Sequence, residues 1–133
     1  MSFLRNPDNL LLYYAKTPCV DSCEVYDLWI HGNGTVVFSG IHNVTLTGKV
    51  KTVIPPRTLE ILKESLQNSL NDCEGFIMTD YTHSTRLTYK KHTYAYCPPE
   101  INGGLQKLNT SLEALALEIQ REGISNRNAL NDR

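Results

Sequence analysis

The sequence has almost no net charge and no long apolar run. Lys and Arg number 13 and Asp and Glu 14, a formal net charge of −1. That balance argues against a dedicated nucleic-acid binder, which carries a basic face or stripe, and against a protein drawn to anionic membranes. The densest apolar cluster, Leu10-Leu11-Leu12-Tyr13-Tyr14, leads within two residues to Lys16 and is too short to span a bilayer. Met1 to Asn9 hold one Arg and lack the apolar core and small-residue cleavage site of a signal peptide, so a cytoplasmic setting is expected. For the same reason the glycosylation-like triplets at Asn33, Asn43 and Asn109 are read as chance matches. A phosphate-cradling loop, a metal motif and a nucleophile-plus-base pattern are also missing. No cofactor is expected.

What is present is an ordinary globular composition, 41% hydrophobic and 20% charged. The 133 residues suit one domain. A chain of this length buries roughly two-thirds of its unfolded surface, so it folds without a metal or disulfide. Residues 1–123 are expected to form that domain, and the Asn- and Arg-rich residues 124–133 a disordered tail.

Strands are expected at Leu10–Lys16, from about Glu24 to His31, from Thr35 to Gly40 and from Val44 to Ile54. The second carries Tyr26, Leu28 and Ile30 on one face and Val25 and Trp29 on the other, which suits a central strand. His31-Gly32-Asn33-Gly34 is a hairpin signal, because Asn and Gly accept the positive φ of tight turns. In the fourth strand Gly48 falls on the apolar face and marks a bulge or bend. Pro55-Pro56 then opens a helix whose Leu59, Leu62, Leu66 and Leu70 recur at helical spacing. A short strand at Phe76–Thr79 and a hairpin with arms 84–90 and 92–97 follow. A second helix, from Leu105 to Arg121, shows Leu105, Leu108, Leu112, Leu115 and Ile119 in one stripe, with Gly123 as its stop. The order ββββαβββα predicts an α+β fold: an antiparallel sheet of about six to seven strands with two helices packed on one face. The other face is left to solvent or a partner. The stripe of the second helix is too short for a stable coiled coil and is expected to pack on the sheet.

Three constellations are candidates for chemistry or recognition. Cys19 and Cys23 stand three residues apart in a loop, and are read as plain thiols, a local disulfide or half of a zinc site. The box Thr17-Pro18-Cys19-x3-Cys23-x-Val25-Tyr26, followed by Gly34-Thr35-Val36, resembles an uncharacterised bacterial domain family. Its members open with a strand, a T-P-C-x-G-x-C-P-x-Y box and a G-D-G-T-V hairpin. Asp21 stands where that family has Gly, and Glu24 where it has Pro. The resemblance runs from residue 10 to about 121. It implies the same element order and, members often being exported, an alternative to the cytoplasm; it implies no activity.

The second constellation, His83-Ser84-Thr85 with His92-Thr93-Tyr94, echoes paired motifs of two-histidine phosphoesterases. Opposite positions along a single hairpin keep the two rings apart. The third is a binding surface on the last hairpin, built of Tyr81, His83, Arg86, Tyr89, Lys91, His92, Tyr94 and Tyr96, where aromatic and cationic groups meet. The leading expectation is a non-catalytic binding or interaction domain (an inhibitor, an immunity-type protein or a small-ligand sequestering protein). Its partner would be a protein or small ligand, with no nucleic acid and no membrane, and the chain a monomer or homodimer. The alternatives are a thiol or metal site on Cys19 and Cys23, and a small hydrolase using His83 and His92.

Overall fold

A computed structural model describes residues 9–18, 23–70, 85–90, 92–97, 101 and 103–131, with side chains as far as Gly123. Strands β1 (Leu10–Lys16), β2 (Val25–His31), β3 (Thr35–His42) and β4 (Gly48–Val53) precede helix α1 (Pro56–Leu70). Strands β5 (Thr85–Tyr89) and β6 (His92–Tyr96) precede helix α2 (Gly103–Asn131). The architecture is α+β, in the order ββββαββα. The strand expected at 76–79 lies outside the described residues. All six strands join one antiparallel sheet, in the order β4-β3-β2-β1-β5-β6. As its two apolar faces require, β2 lies inside the sheet, between β1 and β3.

Short turns explain the pairing of β2 with β3 and of β5 with β6. In the turn between β2 and β3, the Gly34 N–H donates to the His31 carbonyl, and Gly34 takes φ 95°. The Asn33 side chain accepts from the Thr35 N–H at 3.0 Å, a local bond that fixes the turn. Lys90, at φ 50°, begins the tight turn that sets Tyr89 opposite His92. Pro56 opens α1, and the Leu59 N–H donates to the Pro55 carbonyl.

One face of the sheet is covered. Leu12, Tyr14, Tyr26, Leu28, Ile30, Val36, Phe38, Leu87, Tyr94 and Tyr96 join a single core with the apolar stripes of both helices. Leu59, Leu62, Leu66 and Leu70 come from α1, and Leu105, Leu108, Leu112, Ala116 and Ile119 from α2. The α2 stripe therefore belongs to the core and not to a seam between copies. Among the described residues, no helix lies over the alternate set of strand side chains.

Two expectations need correction. Strand β4 begins at Gly48, not Val44, because residues 43–46 fold over the sheet. Asn43 turns with φ 56°, and Leu46 drops inward to 2% exposure. The buried Gln120 side chain accepts from the backbone N–H groups of Thr45, at 2.9 Å, and Leu46, at 3.3 Å. Those two donors would otherwise lack a strand partner.

Gly123, read as a helix stop, instead lies within α2, which runs on to Asn131 where a tail was expected. A side chain at Gly123 would come within 2.6 Å of Leu46 Cδ2, so this glycine lets the helix approach the folded-over segment. Gly40 serves the same contact from the sheet side, where a Cβ would stand 1.9 Å from the Leu46 carbonyl oxygen. Gly40→Ala is therefore expected to destabilise the fold by about 3 kcal/mol or more, since backbone must move. Gly123→Ala is expected to cost less, because it meets only the end of a flexible side chain. Urea denaturation of both variants checks the order.

Candidate binding surface

Side chains alternate across a strand, so the register sorts every residue onto the covered or the open face. Paired residues on adjacent strands share a face, and this lines the open face with two rows. One row runs Lys51, Val37, Trp29, Tyr13, Thr88, Thr93 from β4 to β6. The next runs Lys49, Ser39, Asp27, Ala15, Arg86, Ala95. At the centre, the Tyr13 and Trp29 rings meet with centroids 5.6 Å apart and a 36° tilt. Such aromatic pairs add about 1 kcal/mol beyond the area they bury. The Tyr13 hydroxyl donates to Asp27 Oδ1 at 2.5 Å. Partial burial, then the Asp27 carboxylate, pushes the Tyr13 hydroxyl up to about 12, against a smaller lowering by Arg86. Val53, on β4, is 68% exposed and Ile41, at the end of β3, 54%. The face is thus aromatic in the middle, with Lys49, Lys51 and Arg86 toward its flanks and Asp27 as the central carboxylate.

The covered face carries a polar seam beneath α2. The buried Asn109 Oδ1 accepts from the Tyr14 hydroxyl at 2.6 Å and the Tyr96 hydroxyl at 2.9 Å. Burial raises the pKa of Tyr14, Tyr26 and Tyr96 well above the ordinary tyrosine range, so all three stay neutral. One turn along, Glu113 pairs with Lys16, whose ammonium also donates to Thr85 Oγ1 at 3.0 Å and sits 5.5 Å from the Tyr14 ring centre. Lys16, Thr17, Cys23, Glu24 and Glu113 line a cleft of about 200 Å³ at this end of the sheet. Cys23 is held in a disulfide, and its carbonyl accepts from Asn43 Nδ2 at 3.2 Å.

Of the hairpin residues expected to form one binding surface, the five that are described do not share a face. Tyr94 and Tyr96, at 3% and 0% exposure, point into the core, so neither is a surface group. Their positions oppose Leu87 and Thr85, which face the helices, and alternation leaves them no other direction. Arg86 projects from the open face, while Tyr89 and His92 pair at the turn end of the covered face, with Lys90 Nζ 5.4 Å from the Tyr89 ring centre. Tyr81, His83 and Lys91 lie outside the described residues, as does Cys19. Among the described residues, no three His, Cys, Asp or Glu side chains gather as a metal would need. No helix among them is long and apolar enough to cross a membrane.

Trp29, on the face opposite Tyr26, Leu28 and Ile30, and Tyr13, Lys49 and Lys51 beside it are candidate residues absent from the set expected from sequence. The signal was available in the period-two alternation; what it lacked was knowledge of which face the helices take. Residues 10–116 match the family described as a domain of unknown function (DUF6438). No curated protein gives a significant match.

The Tyr13–Asp27 bond yields a pH prediction. A tyrosine whose folded pKa is raised contributes stability that is full below its unfolded value near 10 and is lost as pH rises toward 12. The neutral Tyr14, Tyr26 and Tyr96 act in the same direction. Stability is expected to fall above pH ~10, less steeply in Tyr13→Phe. Asp27→Asn is expected to lower the Tyr13 titration without restoring it fully, because burial is the larger cause. Alkaline titration of phenolate absorbance, compared with Tyr13→Phe, measures both.

Proposed function

With the chain belonging to this family of unknown function, we propose that it is a non-catalytic binding domain whose contact surface is the open face of the sheet. One observation carries the reading: the Tyr13–Trp29 pair stands in the middle of a sheet face that neither helix covers. Tyr, Trp and Arg are the residues on which protein contacts most often depend, and all three occur here at or beside the centre. An inhibitor or immunity-type role uses such a face to grip a protein; a sequestering role would hold a small ligand over the aromatic pair. No step of chemistry is needed.

Native mass spectrometry of the protein purified from its host tests this. A co-purifying mass is expected in the wild type and in His92→Ala, and is expected to vanish in Trp29→Ser with the fold intact by circular dichroism. A mass that survives Trp29→Ser and is lost in His92→Ala would favour the hydrolase alternative over the binding face.

A second reading rests on Cys23, whose disulfide lines the same cleft as Lys16 and Glu113. Disulfides persist in oxidising compartments, so this bond bears on the setting as well as on the chemistry. A disulfide at Cys23 consumes two of the four cysteines, while Cys97 is reduced. Thiol counting in the denatured, unreduced protein is expected to find no more than two. Four reactive thiols would remove the thiol-site reading.

A further inference from the structure

Strand β4 ends the sheet, with β3 on one side and no described strand on the other. The Ile54 N–H donates to the Gly34 carbonyl at 2.9 Å, one step beyond the Val53–Thr35 pair. Along an antiparallel ladder, opposite residues alternate between bonded and unbonded pairs. Thr52 and Val50 therefore bond to β3, while Lys49, Lys51 and Val53 aim their N–H and C=O groups outward. All three outward residues are exposed. Among the described residues, nothing bonds to their backbone. We propose that this outer edge of β4 is a docking site, taken by an extended peptide segment that joins the sheet as a further strand. The site is separate from the open face and does not depend on Trp29.

The edge itself selects the occupant. Donors and acceptors that repeat at every second residue match another extended backbone. A segment of about five residues covers Lys49 to Val53. Its side chains opposite Val50 and Thr52 fall on the covered side of the sheet. A cleft of about 50 Å³ lies there, lined by Val50, Lys51 and Thr52 from β4 and by Ile119, Glu122 and Gly123 from α2. No β3 residue lines it, which puts it at the outer side of β4. The volume is little more than that of one water, about 30 Å³ in the liquid. It therefore takes a small apolar side chain, such as Ala or Val.

A second copy of this chain fits less well. Pairing two β4 edges antiparallel through all three outward residues sets Lys51 against its own counterpart, and like charges directly opposite are destabilising. Lysines on an edge strand guard against indiscriminate pairing of this kind. Lys49 and Lys51 thus exclude copies of the chain and still admit a segment without Lys or Arg at the facing positions.

The test selects a random peptide display library on the full chain. Enriched sequences are expected to hold a small apolar residue at one fixed position and no Lys or Arg two residues apart facing Lys49 and Lys51. A synthetic peptide of the enriched sequence is expected to weaken by about tenfold or more on Lys51→Pro. That change removes an outward N–H and spares the bonds to β3, as proline on an edge strand can. Lys51→Ala removes the same charge, keeps the donor and is expected to weaken binding by about threefold at most. Trp29→Ser is expected to leave it unchanged. N-methylation of the peptide adds a readout that needs no protein variant, and it decides the matter if Lys51→Pro lowers the thermal melt. Methyl groups on one set of alternate residues are expected to abolish binding, and on the other set to leave it. No enrichment, equal loss in Lys51→Pro and Lys51→Ala with the fold intact, or equal tolerance of both methylation sets would overturn the edge site. Binding lost only in Trp29→Ser would overturn it and give the peptide to the open face. A dimer in sedimentation that Lys51→Pro dissolves would overturn the peptide in favour of a second copy.

Discussion

A helix with a single apolar stripe can bury that stripe against one surface only, and the described residues hold two such helices for a sheet with two faces. The leucines of α1 and the stripe of α2 share one core with Leu12, Tyr14, Leu28, Phe38 and Leu87. Every other feature of the molecule follows from where that burial is spent. Each buried Leu contributes about 2 kcal/mol, so the helices cannot divide themselves between faces without exposing core on both. Because strand side chains alternate, covering Tyr14 and Leu28 commits Tyr13 and Trp29 to the opposite side. The open aromatic face is the direct consequence of the covered one.

The position of α2 on the sheet depends on polar groups as much as apolar ones. Asn109 joins two tyrosine hydroxyls from β1 and β6, Glu113 reaches Lys16, and Gln120 holds the backbone after β3. Apolar contact is non-directional and would tolerate a sliding helix. A buried amide whose hydroxyl donors come from separate strands tolerates very little, since a shift would leave those groups unsatisfied in the interior. Gly40 and Gly123 complete the fit by letting Leu46 enter between strand and helix. The same end of the molecule holds the cleft around Lys16 and Cys23, so the residues of the cysteine box border the seam that orients α2.

Local chemistry made most of the elements readable. The end of β1 and the start of α1 are set by Thr17-Pro18 and Pro55-Pro56, where proline geometry decides. The turn at Gly32–Gly34 and the hairpin at Lys90 are likewise local. Strand β4 was harder: Val44 and Leu46 continue its alternation in sequence, but Gln120, distant in the chain, takes their segment out of the sheet. Gly123 was misleading for a similar reason. A glycine near a helix end fits a stop, and only the closeness of Leu46 reveals that its missing side chain is the point. The hairpin tyrosines mark the other limit, since composition alone cannot separate a surface aromatic from a core one.

The sequence by itself determined the elements, their α+β class, the antiparallel pairing of neighbouring strands and the two alternating sets of side chains. These depend on periods, turn residues and prolines, all of which act over a few residues. The tertiary structure decided which set is covered, and so turned Tyr94 and Tyr96 into core and Tyr13 and Trp29 into a candidate contact surface. It also decided that β1 stands between β2 and β5, which places Tyr13 beside Trp29 and Arg86 in the row of Asp27. Those choices rest on contacts between residues far apart in the chain, such as Tyr14 with Asn109 and Lys16 with Glu113, and no local pattern encodes them.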